Sequence, residues 1–483
     1  MNEKTQVLSE DWLAVWIGLV VFVLSLGMLA GADLLGWAIT TKVWTDLTKA
    51  LAPVSKGYAA LGGLGSLIVT YLALLVVMTI GAIALRADLR KFALGFSAVF
   101  WISYACWIVG SWANIAVTTP GDMDKFGIGW SLRLTPEAGF IVALLVGLLI
   151  GNFMPRFAEW MKEAVRPEWY IKTAIVILGG FLGVVAAEKL SLATSLMFRG
   201  LAAIIEAYLI YWAVVYFIAR KWFGFSREWS APLASGISIC GVSAAIATGA
   251  AIRARPVVPI MVSSLVVIFA VVELVVLPFI AQNFLANEPM VAGAWMGLAV
   301  KTDGAAVASG AITESLIMAK AATEGINYQP GWILGTTTTV KIFIDIFIGI
   351  WAFLLAYIWT ARIEAKAGAT PRVSEIWERF PKFVLGYVVT FAVILAMALG
   401  ATTETAGTIK SAMGEANVFR GIFFVMTFFT IGVMSNFRKL WEEGIGKLAA
   451  VYLASLFGFV IWVGLVISWI FFQGVKPPIV TGG

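Results

Sequence analysis

Apolar stretches that reach or exceed the ~20 residues needed to cross a bilayer core recur along the whole length of this chain. No other feature of the sequence restricts its fold so strongly. With 61% hydrophobic and 13% charged residues, the 483-residue chain has too little polar surface to cover a soluble body. It reads as an all-α polytopic membrane protein. Apolar runs bounded by charges, Pro and Gly predict about thirteen spans, near 12–31, 60–85, 93–117, 138–154, 170–187, 199–220, 229–252, 257–284, 290–316, 331–359, 379–399, 417–435 and 444–472. The segment 43–55 is shorter and carries Asp46 and Lys49, which suits an interfacial helix. The longest polar connectors, 118–137 and 360–382, leave little room for a soluble domain or for an enzyme's chemistry.

The net charge of +6 is spread over short loops between spans, a pattern of membrane orientation rather than of nucleic-acid binding. Lys and Arg concentrate around 86–91, 156–166, 220–227, 362–382 and 438–439, which places the N-terminus in the cytoplasm. Lys42, Lys49, Lys56, Arg253 and Arg255 fall on the opposite side of that count. Cys106 and Cys240 both lie in apolar segments, so neither a disulfide scaffold nor a thiolate metal site is supported. Histidine is absent, and any proton-coupled step must use Asp, Glu, Lys, Tyr or Cys.

Lys341 and Asp345 stand one helical turn apart inside the run 331–359, with Thr336 to Thr339 just ahead of them. Side chains at i and i+4 share a helix face, so the two charges are expected to meet. Lys341 lies roughly 15 Å from the near end, too deep to snorkel easily. Ionisable groups at that depth usually mark a substrate or ion pathway, the alternative being an internal pair that locks helices together.

Two runs read as interrupted helices. SGISICGVSAAIAT (235–248) places Gly236, Ser238, Cys240, Gly241 and Ser243 in mid-span, and FFTIGVMSN (428–436) does the same with Thr430, Gly432 and Ser435. Their five-span offset suggests an inverted repeat, with 1–137 as accessory spans, 138–284 as the first unit and 285–483 as the second. Small residues that merely permit close helix packing are the competing explanation.

The segments GLLIGNFMP (147–155), IKTAIVILGGFLGV (171–184), SICGVSA (238–244), WMGLAVKTDGAAVASGA (295–311), VKIFIDIF (340–347), FPKFVLGYV (380–388) and FTIGVMSNFRKL (429–440) follow the order and spacing of a family of bacterial membrane proteins described as sulfate exporters. The resemblance covers roughly 138–472, and its most specific piece is Ile239-Cys240-Gly241-Val242-Ser243-Ala244. It implies a fold related to bile-acid symporters and sodium/proton antiporters, with two discontinuous helices crossing near the midplane. The chain departs from the family at Ala299-Val300-Lys301-Thr302-Asp303, where Ser-Ile-His before an acidic residue is usual. It departs again at Lys341-Ile342-Phe343-Ile344, where Lys-Leu-Thr-Arg is usual. Both changes touch positions that would set substrate charge.

A broken helix presents free N–H groups and a positive dipole end, a site for an anion. Ser238, Cys240, Gly241, Ser243, Lys301, Asp303, Lys341, Asp345 and Thr430 are the expected substrate-binding residues. Asp303, Asp345, Thr338 and Thr339 are the expected ligands of a coupling sodium ion or proton, with no other cofactor. Glu206 and Glu273 also lie within spans, as proton carriers or as structural groups. No GxxxxGK[ST] loop is present. The leading expectation is a secondary transporter exporting a small anion such as sulfate, sulfite or an organosulfonate, set in lipid and possible as a homo-oligomer. Alternatives are a cation/proton antiporter and a non-transporting membrane sensor or assembly subunit.

Overall fold

A computed structural model of the chain describes residues 9–117, 120–132, 136, 138–188, 190–255, 257–359, 363, 377, 381–435 and 446–480. Among these, nine helices are long and apolar enough to cross a membrane. They are α1 (Glu10–Ala30, ending in a 3-10 turn), α2 (Lys56–Ala84, opening on one), α3 (Leu89–Gly110), α5 (Pro167–Glu188), α6 (Leu190–Trp222), α9 (Val257–Phe284), α12 (Trp332–Ile358), α14 (Thr403–Met434) and α15 (Gly446–Phe472). Two shorter apolar helices, α4 (Ala138–Phe153) and α13 (Phe383–Leu399), pack against α14 and α5 respectively. Segment 43–55 is not an interfacial helix. Ile39–Thr41 and Leu51–Pro53 pair antiparallel as β1 and β2, with Thr40 opposite Ala52 and one 3-10 turn at Leu47–Lys49 between them. Most of connector 360–382, and a few residues of 118–137, lie outside the described residues.

The run 229–252 is not a span. Helix α7 (Arg227–Ser235) continues through a π turn, Gly236–Cys240, and α8 (Gly241–Ala251) returns alongside it. Thr248 donates to Ser235 Oγ at 2.7 Å, and the Arg255 amide and Nε meet Glu228 Oε1 at 2.8 and 3.0 Å. Both pairs are centred on residues 241–242, which makes Cys240-Gly241 the tip of a re-entrant hairpin. The reversal uses a backbone open to glycine alone: Gly241 has φ +49° and ψ −108°.

The run 290–316 is a second hairpin, formed by α10 (Pro289–Ala299) and α11 (Asp303–Thr323). Thr337 Oγ1 donates to Gly293 O at 2.7 Å, and a Cβ on Gly310 would lie 2.6 Å from the same hydroxyl. Residues 293 and 310 would be ~25 Å apart in one straight helix. Their meeting at Thr337 places the tip at Lys301-Thr302. Here Thr302 caps α11, its Oγ1 accepting from the Ala305 amide at 3.1 Å. Glycines allow α10 to press on α12, since a Cβ at Gly293 or Gly297 would meet Ile333 O at 2.6 Å or Thr337 O at 2.8 Å.

The 28 residues of α9 join the outer ends of the two hairpins over ~42 Å. The hairpins therefore enter from opposite faces. One face gathers Glu10 with Arg166 (2.6 Å), Asp11 with Lys172 (2.8 Å) and Glu228 with Arg255. The other gathers Glu188 with Lys410 (3.1 Å), Glu288 with the Gly474 amide (2.7 Å) and Lys320 with Gln282 O (3.1 Å). The 11 residues of α10 rise ~16 Å, about half of a 30 Å hydrocarbon core, so the tips meet near its middle.

The expected break at 428–436 is absent from its described residues, because α14 runs unbroken to Met434 and 436 lies outside them. Its small residues serve packing: Gly432 sits against Leu144, Gly147 and Leu148 of α4. The second interruption is at Val300–Thr302, and the five-span offset falls with the first assignment.

Candidate functional site

The hairpin tips touch. A Cβ on Gly241 would stand 2.7 Å from the carbonyl oxygen of Lys301 and 3.0 Å from Thr302 Cγ2. This closeness brings Cys240 to Asp303, its Sγ donating to Oδ1 at 2.6 Å. Helix α12 passes the junction and adds two charges. Lys341 Nζ donates to Ile239 O at 2.8 Å and lies 3.7 Å from Asp303 Oδ1. Asp345 follows one turn later, and both of its carboxylate oxygens are buried without a hydrogen-bond partner. Cys240, Asp303 and Asp345 each offer one ligand atom within 4.8 Å of the others.

The ion pair that Lys341 makes at contact distance is with Asp303 across the tips rather than with Asp345, which stays beside both as a third member of the group. A ring of two carboxylates, one thiol and one ammonium is fully buried, with Lys341 and Asp345 each 1% exposed. Its two carboxylates exceed its single ammonium by one negative charge. Such a site has a place for one proton or one monovalent cation, and α8, which lacks a side-chain cap, turns its N-terminal end toward the same junction. Ser238 stands on the π turn just before the tip, its hydroxyl buried and unpartnered.

Other expected site residues go elsewhere. Lys301 contributes its backbone to the junction, but its ammonium turns away, donating to Leu298 O and lying 4.5 Å from the centre of the Tyr211 ring. Thr338 spends its hydroxyl on Leu334 O at 2.8 Å. Thr339 lines an apolar pocket with Leu182, Phe343 and Tyr387. Thr430 bonds Met426 O and Thr427 O within its own helix, at 2.7 and 3.1 Å. The Ser243 side chain lies outside the described residues.

Behind the second tip is a cluster that the sequence left undecided. Glu273 Oε2 accepts from the Lys301 amide at 3.1 Å, and Tyr452 donates to Glu273 Oε1 at 3.2 Å. Both Glu206 oxygens are buried without a partner, at the start of a π turn, Glu206–Tyr211. Sequence reasoning assigned nothing to Tyr452, 179 residues from its partner. A signal for the second tip was present, since Thr302-Asp303 is a helix-start pattern set inside an apolar run.

Two re-entrant hairpins meeting in a helical bundle, with buried charges at their junction, define a polytopic membrane protein built around an internal ionisable site. Residues 134–464 match the family described as conserved hypothetical protein 698, and the chain belongs to that family. It is similar to a UPF0324 membrane protein of Nitrosomonas europaea, 43% identical over 477 residues that cover 98% of this chain and 97% of the relative. A UPF0324 membrane protein of Rhodopirellula baltica is 32% identical over 309 residues, 62% of this chain and 51% of the relative. No solved structure matches the chain.

Proposed function

We propose that this protein is a secondary active transporter whose cargo binds where the hairpin tips meet. The observation that carries the reading is the buried Asp345 carboxylate, which closes no hydrogen bond yet stands within 4.8 Å of Cys240 and Asp303 at the Lys341 junction. A carboxylate without partners in a bundle interior is costly unless something binds it during the working cycle. The proposed cargo is a small anion such as sulfate, sulfite or an organosulfonate, held by Lys341 and the N-terminal end of α8. A proton or monovalent cation taken up by Asp345 and Asp303 removes the excess negative charge and frees Lys341 to face the anion. Tips that enter from opposite faces support alternating access: withdrawal of either one opens the junction to its own side.

Eleven crossings among the described residues, with the N-terminus in the cytoplasm of an inner membrane, agree with the basic loops better than thirteen do. Re-entry of the first hairpin returns Arg253 and Arg255 to the basic side. The proposed units 138–284 and 285–483 each supply one hairpin. A second reading, cation/proton antiport, is favoured by the excess of carboxylates over ammonium at the junction.

The test is flux in proteoliposomes of sulfate, sulfite and taurine-like sulfonates under imposed proton or sodium gradients. The expected result is gradient-dependent accumulation of one anion, with Asp345→Asn binding that anion but no longer coupled to the gradient. Dissipation of a cation gradient without anion movement selects the antiporter. Leak-level flux of every species overturns the transporter reading.

A further inference from the structure

The second buried cluster lies on the far side of the Lys301–Thr302 tip from the cargo junction, and it grips the tip by its backbone. Lys301 supplies the link: its carbonyl faces Gly241, while its amide is held by Glu273 on α9. Glu273 is in turn positioned by Tyr452 of α15, whose ring stacks on Phe269 with centroids 4.6 Å apart. The Lys301 ammonium and the unpartnered Glu206 carboxylate complete the group. They are brought together by Tyr211, whose ring lies under the ammonium and whose hydroxyl reaches Val460 O at 2.8 Å. A Cβ on Gly464 would touch both that hydroxyl (2.7 Å) and Glu206 Oε1 (3.6 Å). Glu206–Tyr211 and Leu456–Val460 are both π turns, a distortion that recurs at functional sites.

We propose that Glu273, Lys301 and Glu206 form a proton-binding latch, distinct from the cargo junction, that holds the second hairpin tip closed when Glu273 is ionised and releases it when Glu273 is protonated. The step is a simple proton addition. A proton from solvent joins the Glu273 carboxylate. The acceptor of the tip amide then becomes a neutral carboxyl. A hydrogen bond to an ionised acceptor is roughly twice as strong as one between neutral groups, so the closed tip loses about fivefold in its equilibrium over the released one. Glu206 is the second proton acceptor, a buried carboxylate on the same side of the tip. The other titratable groups facing this cluster and the adjoining tip are Tyr208 and Tyr211 on α6, Cys240 at the first tip, Asp303 on α11, Lys341 and Asp345 on α12, and Tyr452 on α15.

The latch rests on the proposed movement of the tips, but its test needs no cargo. Cys240 is 2% exposed at the tip contact, and Cys106 is the only other cysteine of the chain. In a Cys106→Ser background, the rate of Cys240 alkylation by N-ethylmaleimide reports tip release. The rate is measured between about pH 5 and pH 9 and divided by that of Glu273→Gln to cancel the thiol's own titration. The expected ratio is near one at the acid end and falls about fivefold at the alkaline end. Tyr452→Phe keeps the ring on Phe269 and removes the hydroxyl that positions Glu273, so it raises alkaline labelling above that of the parent. It also supplies the comparison should Glu273→Gln fail to fold. A ratio that stays flat across the range, or a Tyr452→Phe rate equal to the parent's at the alkaline end, overturns the latch. Leak-level flux together with a pH-dependent ratio rejects transport and leaves the latch standing.

Discussion

Gly241→Ala offers the sharpest energetic test of the hairpin junction. Two separate penalties apply at this position. The backbone, at φ +49° and ψ −108°, lies in a region an alanine occupies only at a cost of order 1–3 kcal/mol. The new methyl would also stand 2.7 Å from both Lys301 O and Val266 Cγ1 and 3.0 Å from Thr302 Cγ2, and such overpacking typically costs about 1–3 kcal/mol. Together they amount to about 2–6 kcal/mol. Gly236→Ala is the internal control. Its φ is −63°, and the nearest atoms its methyl would meet are Val262 Cγ1 at 3.0 Å and the Gly241 carbonyl and Val266 at 3.4 Å, so a loss of about 1 kcal/mol or less is expected. Reversible unfolding of purified protein in mixed micelles, followed by tryptophan fluorescence, measures both. If Gly241→Ala is no more destabilising than Gly236→Ala, the tip does not have this conformation and the close contact with Lys301 does not exist.

Two further outcomes follow from the same geometry. Lys341→Met leaves Asp303 buried without its ammonium and is expected to destabilise by about 3–5 kcal/mol, whereas Asp345→Leu removes a carboxylate that has no bonded partner and is expected to be neutral or stabilising; equal losses from the two variants in the same unfolding measurement would restore a Lys341–Asp345 lock. In a background without native cysteines, Arg227→Cys and Ala254→Cys are expected to react with an impermeant maleimide from one face of the membrane, and Glu288→Cys and Glu324→Cys from the other. Labelling of positions 227 and 254 from opposite faces would return 229–252 to a full span.

Much of the architecture was legible because a bilayer imposes length and hydropathy on anything that crosses it. The helical class and nearly all the apolar segments emerged in that way. What hydropathy cannot distinguish is a helix that crosses from one that turns back, because both bury the same apolar residues and differ only at a few backbone angles. Gly236, Cys240 and Gly241 marked the first turn correctly. The same kind of composition at Thr430, Gly432 and Ser435 misled, because there the small residues let α14 and α4 approach each other. The second tip is hidden in the opposite manner: the charges of Lys301 and Asp303 stand out at depth and mask the helix cap that Thr302 supplies between them. Within the site, Cys240, Gly241, Asp303, Lys341 and Asp345 were identifiable one by one as polar or special residues at depth. Their pairing was not. Local spacing joined Lys341 to Asp345, and only the fold, by bringing residues 240 and 303 into contact, shows that Asp303 takes that place.

The meeting of the two tips is tested most directly by a covalent link across them. With Cys106→Ser in place, Thr302→Cys sets a second thiol beside the native Cys240, at the position where Thr302 Cγ2 lies within 3.0 Å of the Gly241 Cβ site. Mild oxidation is expected to close an intramolecular bond in high yield. It should also stop flux of whichever species the proteoliposome panel identifies, and reduction should restore that flux. Failure of the two thiols to join, or full-rate flux through the cross-linked protein, would contradict the account.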